Sequence, residues 1–424
     1  MKPTKVLPLL LLLWCLNTTA QDTFKAMFYN LLDFPSQEPA TRIDNLNYIL
    51  NSYQPDLFMV CELNNVDGAN SILSAIQQSY NPDMAKAAFI YNTSDNSIGD
   101  YNDLQNLIFY DSNKFTLEYQ DVIPSLYRDF NRYKLKLNTT NQDTTPIYLE
   151  VFVCHLKSSD GTYYQDLRKS MVDDLEAYLN NAANGIDANS YVILAGDFNL
   201  YTSAEPAFQE LTNSANTVTF TDPANRVGSW HNNISYLDVF SQSTRTVSGL
   251  GGATGGFDDR FDFILASTSL QSDALLSYVP GSYQVYGNNN NSNCYNQAIN
   301  SSSCDGTDFD FTLRNNLYYF SDHLPVTLQF QTSQTLGTPA IAYQDAISLP
   351  KGNVVGTTLT LSVNNSLING RILNIYNTLG QKVKTFAVDG TTIMQKDIAS
   401  LSNGIYYLTV ENTNIKPIKF VKLH

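Results

Sequence analysis

The chain has 424 residues, 43% of them apolar and 15% charged, which provides a sizeable core and excludes wholesale disorder. The length suits two or three domains. Residues 21–333 hold 15 Lys/Arg against 36 Asp/Glu, a net of −21, whereas residues 334–424 hold 8 against 4, a net of +4. A switch of that size marks a domain boundary. The acidic part excludes a protein that grips nucleic acid through a broad basic surface, and a polyanionic substrate would need cations or a few local Arg and Lys side chains to offset the repulsion.

Residues 1–20 carry Lys2 and Lys5, an apolar run over 6–16, and then Asn17-Thr18-Thr19-Ala20. This is the layout of a secretory signal peptide, too short to span a membrane, with cleavage expected after Ala20. No other run is long enough to cross a bilayer, and the mature chain is expected as an exported monomer. Strands are then expected at 23–29, 56–61, 87–91, 107–110, 133–137, 147–155, 191–195, 261–266 and 326–330. Helices are expected at 41–52, 69–79 and 162–180. That mixture points to an α/β domain with sheets covered by helices. Residues 278–319 read as a long irregular insertion. Beyond Ser333 the pattern becomes all-β, with strands at 358–363, 371–376, 382–387 and 404–410, which suggests a small sandwich.

Four cysteines follow the leader. Cys294 and Cys304 share one polar loop, where export permits a disulfide. Cys61 and Cys154 sit in apolar runs, each one residue before a candidate catalytic residue, and strand alternation makes them core thiols. No cysteine spacing suits zinc.

Six positions carry the candidate chemistry. Gly196-Asp197-Phe198-Asn199 follows a buried strand, where ligands commonly bind in open α/β sheets. Ser321-Asp322-His323 enters another strand and sets a cation ligand beside a base. Glu62 ends an apolar strand, a costly place for a carboxylate unless it is paired or bound to a cation. His155 ends a second such run, Asp262 interrupts a third, and Asn30 ends the first strand. Taken singly, each is equally what a solvated turn or a satisfied core position contains. Their order and context together are not.

Phe28-Tyr29-Asn30, Pro55-Asp56-Leu57 leading to Glu62, His155-Leu156-Lys157-Ser158, Gly196-Asp197-Phe198-Asn199, Arg260-Phe261-Asp262 and Ser321-Asp322-His323 span about 300 residues. In that order they resemble the endonuclease/exonuclease/phosphatase superfamily. The resemblance implies a four-layer α/β/β/α sandwich over residues 21–332, with the site at one end of two facing sheets. It implies that Glu62, with Asn30 and Asp322 nearby, ligates Mg²⁺, with Mn²⁺ or Ca²⁺ also compatible. His323, oriented by Asp262, would activate water or stabilise the phosphorane. Asp197 would orient the nucleophile or handle its proton, Asn199 would bind phosphate, and His155 would assist an oxygen of the phosphate or leaving group. Deoxyribonuclease I pairs its equivalent of His155 with a glutamate, but Asn102-Asp103-Leu104-Gln105-Asn106 offers none, and the tyrosine of the abasic-site enzymes is not evident there either, though Tyr101 is close by. The tail segments 373–383, 401–407 and 419–422 resemble the C-terminal sorting domain of type IX secretion, which implies a linker at 333–348, a sorting domain at 349–424 and engagement of that secretion machinery.

The favoured function is a secreted, metal-dependent endonuclease acting on DNA, with RNA as a further substrate. The cationic run Arg128, Arg132, Lys134 and Lys136 supports it, with Arg132 and Lys157 as phosphate contacts. A sphingomyelinase-like phospholipid phosphodiesterase or a phosphatase of the same superfamily is the alternative, but no apolar wedge or lysine cluster favours either. A fold retained only for binding would have lost one of Glu62, Asp197, Asp262 and His323. Asp305, Asp308 and Asp310 suggest a structural Ca²⁺ site.

Overall fold

The computed structural model describes residues 21–37, 39–92, 104–337, 346–411, 413, 415 and 417–423. The expected leader, Tyr101 to Asp103 and residues 338–345 of the expected linker lie outside them. The chain divides into two compact units, the second beginning at Leu336 and taking in Ser112–Thr116 and Lys136–Pro146.

The larger unit is built on two sheets. Its strands are β1 (Asp22–Phe34), β2 (Leu57–Leu63), β3 (Met84–Lys86), β4 (Gln105–Asp111), β5 (Phe115–Ile123), β6 (Phe130–Leu137), β7 (Tyr148–His155), β8 (Tyr191–Asp197), β9 (Phe220–Thr221), β10 (Asp262–Ser267), β11 (Leu276–Tyr278), β12 (Gln284–Val285) and β13 (Val326–Thr332). One sheet runs β11-β13-β1-β2-β4-β3, with β12 beside β13, and the other runs β5-β6-β7-β8-β10-β9. The central strands β1 and β2 are parallel, as are β7 and β8, and these pairs pack face to face.

Among the described residues, five α-helices complete the unit: α1 (Arg42–Tyr53), α2 (Val66–Ser79), α3 (Thr162–Leu179), α4 (Pro206–Leu211) and α5 (Phe311–Phe320). Helix α1 packs against α2 and α5, and the α5 ring of Phe320 meets Tyr29 of β1. On the other side, Phe152, Cys154, Val192 and Leu194 share a core with Met171, Val172 and Leu175 of α3 and with Phe208 and Leu211 of α4. Each such fully buried side chain contributes about 1.5–3 kcal/mol. The result is the four-layer α/β/β/α sandwich that the sequence resemblance implies.

Strand alternation now fixes what faces inward. Because Phe152 and Cys154 point to the helices, Val151, Val153 and His155 point to the facing sheet. The same rule turns Ile193, Ala195 and Asp197 of β8 inward, and Asp262, Ile264 and Ala266 of β10. Three apolar rows thus end in titratable side chains. Cys61 and Cys154 are buried thiols, as expected.

Two local expectations fail. Residues 87–91 form no strand, and the local strand is the preceding β3. Residues 278–319 are not irregular throughout, because α5 begins at Phe311. Asp310 caps it by accepting from Leu313 N at 2.8 Å, and Leu313, Leu317 and Phe320 are its buried stripe. The Asn315-Asn316 pair masks that period in the sequence. Cys294 and Cys304 form the expected disulfide.

The smaller unit is mainly β, with one helical turn at Asn365–Ile368. One sheet orders β14 (Ile347–Ser348), β16 (Thr358–Val363) and β19 (Ile393–Asp397). The other orders β15 (Val354–Val355), β21 (Ile418–Lys422), β20 (Gly404–Val410), β17 (Ile372–Asn377) and β18 (Lys382–Ala387). Leu359, Leu361, Leu373, Ile375, Met394, Leu408 and Phe420 share its core.

Candidate active site

Register brings the candidates together. His155 lies opposite Asp197 in the parallel β7–β8 pair, and Asp262 lies opposite Asp197 in the antiparallel β8–β10 pair. The close approach of β7 and β8 explains Gly196, where a Cβ would lie 2.4 Å from Cys154 Sγ. In the facing sheet Asn30 lies opposite Cys61, and both strands then break register, β1 between Asn30 and Phe34 and β2 between Val60 and Leu63. Leu32, Asp33 and Glu62 take positive φ values of 48°, 49° and 54° within these bulges. Bulges of this kind re-aim side chains at a sheet's rim, and the strain persists only where neighbours enforce it. Arg42 is one such neighbour. Its buried guanidinium donates to Leu31 O, to Leu32 O at 2.8 Å and to Phe320 O at 2.7 Å.

The side chains form one network. Asn30 Nδ2 donates to Glu62 Oε1 at 2.9 Å and to Asp197 Oδ2 at 3.1 Å, joining the two sheets. Asp33 N donates to Glu62 Oε2 at 3.2 Å. His323 Nδ1 lies 2.7 Å from Asp262 Oδ2, while its Nε2 lies 3.7 Å from Asp197 Oδ2. His155 Nε2 stands 3.6 Å from Asp197 and 3.7 Å from Glu62. Asp322 Oδ2 accepts from Ala253 N at 2.6 Å and from Gln242 Nε2 at 3.2 Å. That approach needs Gly252, whose φ is +70° and whose added Cβ would meet the Asp322 carboxyl at 2.5 Å.

Electrostatics follow from burial. Desolvation pushes Glu62 up to about 7, with Asp322 and Asp33 adding to the rise. Desolvation also pushes Asp197 up to about 7, against the pull of His323. Burial alone would lower His323, but Asp262, Asp322 and Asp197 together hold it well above the usual histidine range. Burial drives His155 well below that range, with Arg128, His323 and Lys157 adding to the fall. Burial and neighbouring charges thus push the two imidazoles in opposite directions.

Glu62, His155, Asp197, Asp322 and His323 line an open cavity of about 390 Å³ with Asp33, Arg128, Ser158, Ser159, Tyr201, Gln242 and Phe261. Gln242 had no sequence signal, and its side-chain amide lies 2.5 Å from His323 Nε2. Asn199 lines the cavity too, holding Leu156 O through Nδ2 at 3.1 Å. Asn30 turns its nitrogen, rather than its oxygen, to both carboxylates. The ligand atoms within 4.8 Å of one another belong to Glu62, His155 and Asp197, and to Asp197, Asp262 and His323.

Arg132 is a correction. It shares the outer face of β6 with Phe130, bonds Glu150 at 2.9 Å and Tyr178 of α3 at 2.9 Å, and does not line the cavity. The cation of that run that does is Arg128. Lys157 also falls outside the lining, with its ammonium over the Tyr164 ring at 5.6 Å. The acidic trio does not form a Ca²⁺ cradle, since Asp305 pairs with Arg314, Asp310 caps α5 and Asp308 accepts from Thr307.

Comparison with known proteins adds three findings. Residues 353–422 match the family model of the secretion system C-terminal sorting domain, which indicates secretion or cell-surface localisation. No curated protein sequence matches the chain. Solved structures similar to it include the human Nocturnin catalytic domain with bound sulfate, at 16% identity, covering 74% of this chain and 98% of that one, with a TM-score of 0.44. An endonuclease/exonuclease/phosphatase family protein from Bacteroides thetaiotaomicron is similar at 13% identity, over 74% and 99%, with a TM-score of 0.44. D. rerio TDP2 complexed with single strand DNA product is similar at 14% identity, over 73% and 99%, with a TM-score of 0.43. No helix among the described residues is long and apolar enough to cross a membrane.

Proposed function

We propose that the chain is an exported, divalent-cation-dependent phosphodiesterase that cuts nucleic acid internally, DNA first and RNA second, and that leaves the cell by type IX secretion. The observation that carries this reading is the convergence, from two sheets onto one open cavity, of Glu62, Asp197, His155 and His323, the last held from behind by Asp262.

The residues suit a dication. Glu62, about 14% exposed, and buried Asp197 are carboxyl groups pushed up to about 7, and Asp322 Oδ1 is buried with no hydrogen-bond partner among the described residues. Glu62 and Asp322 would hold Mg²⁺, with Asn30 steadying the Glu62 carboxylate through its amide nitrogen, and the carboxylate oxygens also accept Mn²⁺ or Ca²⁺. When bound, the cation supplies positive charge to the phosphoryl oxygens.

The remaining work falls to side chains. Asp262 fixes the Nδ1 proton of His323, so that a cationic imidazole faces the oxygens that gain charge during in-line attack. Asp197, pushed up to about 7, takes the proton of the attacking water through Oδ2. His155, kept neutral by burial, hydrogen-bonds the phosphate or its leaving oxygen. Arg128 offers the cavity wall a charge that the net of −21 otherwise opposes.

The test incubates the exported chain with supercoiled plasmid, single-stranded DNA, RNA and sphingomyelin, each with Mg²⁺, with Ca²⁺ and with chelator. Metal-dependent cleavage of the nucleic acids supports the reading. Phosphocholine release with nucleic acids intact transfers it to the lipid phosphodiesterases.

A further inference from the structure

We infer that Arg168 and Glu205 are a buried positioning pair that sets the substrate-facing wall of the cavity, an inference whose kinetic arm rests on the phosphodiesterase reading. Arg168 lies on α3 and Glu205 just before α4, and both side chains are fully buried. Arg168 Nε lies 2.8 Å and Nη2 2.7 Å from Glu205 Oε2. The third guanidinium nitrogen, Nη1, donates to Lys157 O and to Ser159 O, each at 2.9 Å. Glu205 Oε1 accepts from Tyr201 N at 2.8 Å. One ion pair thus ties the segment after β7 to the segment after β8.

Both segments face the cavity, through Ser158, Ser159 and Tyr201. Ser159 adopts φ 90°, a costly conformation for a residue with a Cβ, and it persists only where surroundings over-determine it. Arg168 supplies that constraint from both sides of Ser158. A buried ion pair is a poor source of stability because desolvation offsets its attraction. Here the bonds beyond the pair itself go to main-chain atoms of the two wall segments. The Arg168 guanidinium also lies 5.8 Å from the centre of the Tyr201 ring. The pair touches none of Glu62, Asp197, Asp262 or His323, so its role is to place the wall and not to move protons.

The wall meets substrate in ground and transition states alike, so loosening it should raise KM more than it lowers kcat. The experiment compares Arg168→Lys and Glu205→Gln with Glu150→Gln, which breaks the Arg132–Glu150 pair, also buried but away from the cavity. Amide hydrogen exchange over residues 156–160 and 200–204 should quicken about tenfold in Arg168→Lys and stay unchanged in Glu150→Gln. KM for DNA should rise roughly tenfold with kcat within about twofold. Glu205→Gln keeps an oxygen for Tyr201 N and should show a smaller rise. Unchanged exchange at both segments, the same shift in Glu150→Gln, or a fall in kcat at constant KM would overturn the inference. If the wild-type chain cleaves no diester, the exchange arm alone decides: faster exchange at both segments supports the clamp while the phosphodiesterase reading falls.

Discussion

The amide of Asn30, where β1 breaks register in one sheet, donates to the carboxylate of Asp197 in the other over 3.1 Å. The same nitrogen reaches Glu62 Oε1 at 2.9 Å, so a single amide holds two carboxylates that would otherwise repel across the cavity. Replacing Asn30 with Ala should lower the hydrolysis rate and raise the Mg²⁺ concentration needed for half-maximal rate, by roughly 10- to 100-fold together. A Mg²⁺ titration of plasmid nicking measures both.

The Asp262–His323 pair makes a separate demand. Asp262→Asn preserves shape but removes the carboxylate that holds His323 cationic, so kcat should fall by about 10² or more while KM changes little. Steady-state kinetics on a short DNA duplex would check this. An unchanged kcat would remove His323 from the chemistry.

Cation binding should also be visible without turnover. On the proposed reading, bound Mg²⁺ would offset the charge of Glu62 and Asp322, so millimolar Mg²⁺ should raise the melting temperature of the wild-type chain by linkage. Glu62→Gln should lose most of that rise. Differential scanning fluorimetry with Mg²⁺ and with chelator provides the comparison.

The sequence marked the side chains that gather at the site better than it marked their setting. Asp197, Asp262, His155 and Glu62 were legible because a charged or imidazole side chain ending an apolar run is costly without a purpose. Arg132 was misplaced because period-2 alternation fixes which residues share a face but not which face meets the cavity. Only the contact of Arg132 with Tyr178 of α3 settles it. Gln242 and Ser159 were invisible because their place depends on loop conformation and on distant clamps such as Arg168. Helix α5 was missed where polar Asn315 and Asn316 interrupt its apolar stripe.

Glu176 on α3 yields a stability prediction. Both carboxyl oxygens are buried with no hydrogen-bond partner among the described residues, and desolvation, with Glu210 and Asp173, pushes the group up to about 8 from an ordinary 4.5. The folded state therefore keeps a proton that the unfolded state releases. Its contribution is fully present below about pH 4.5 and is lost as pH rises to about 8. Glu176→Gln has no such group, so the stability difference should move in the variant's favour across that window, by on the order of 1–3 kcal/mol. Urea unfolding of both proteins at several pH values measures the difference. A constant difference would show that Glu176 does not carry this pH dependence.

The most direct test of the central claim is Mg²⁺-dependent nicking of supercoiled plasmid by the exported chain, measured beside His323→Ala at matched thermal stability. The account predicts nicking that chelator abolishes and that the variant loses by about 10² or more. Nicking that persists undiminished in His323→Ala, or that proceeds equally well in chelator, would contradict it.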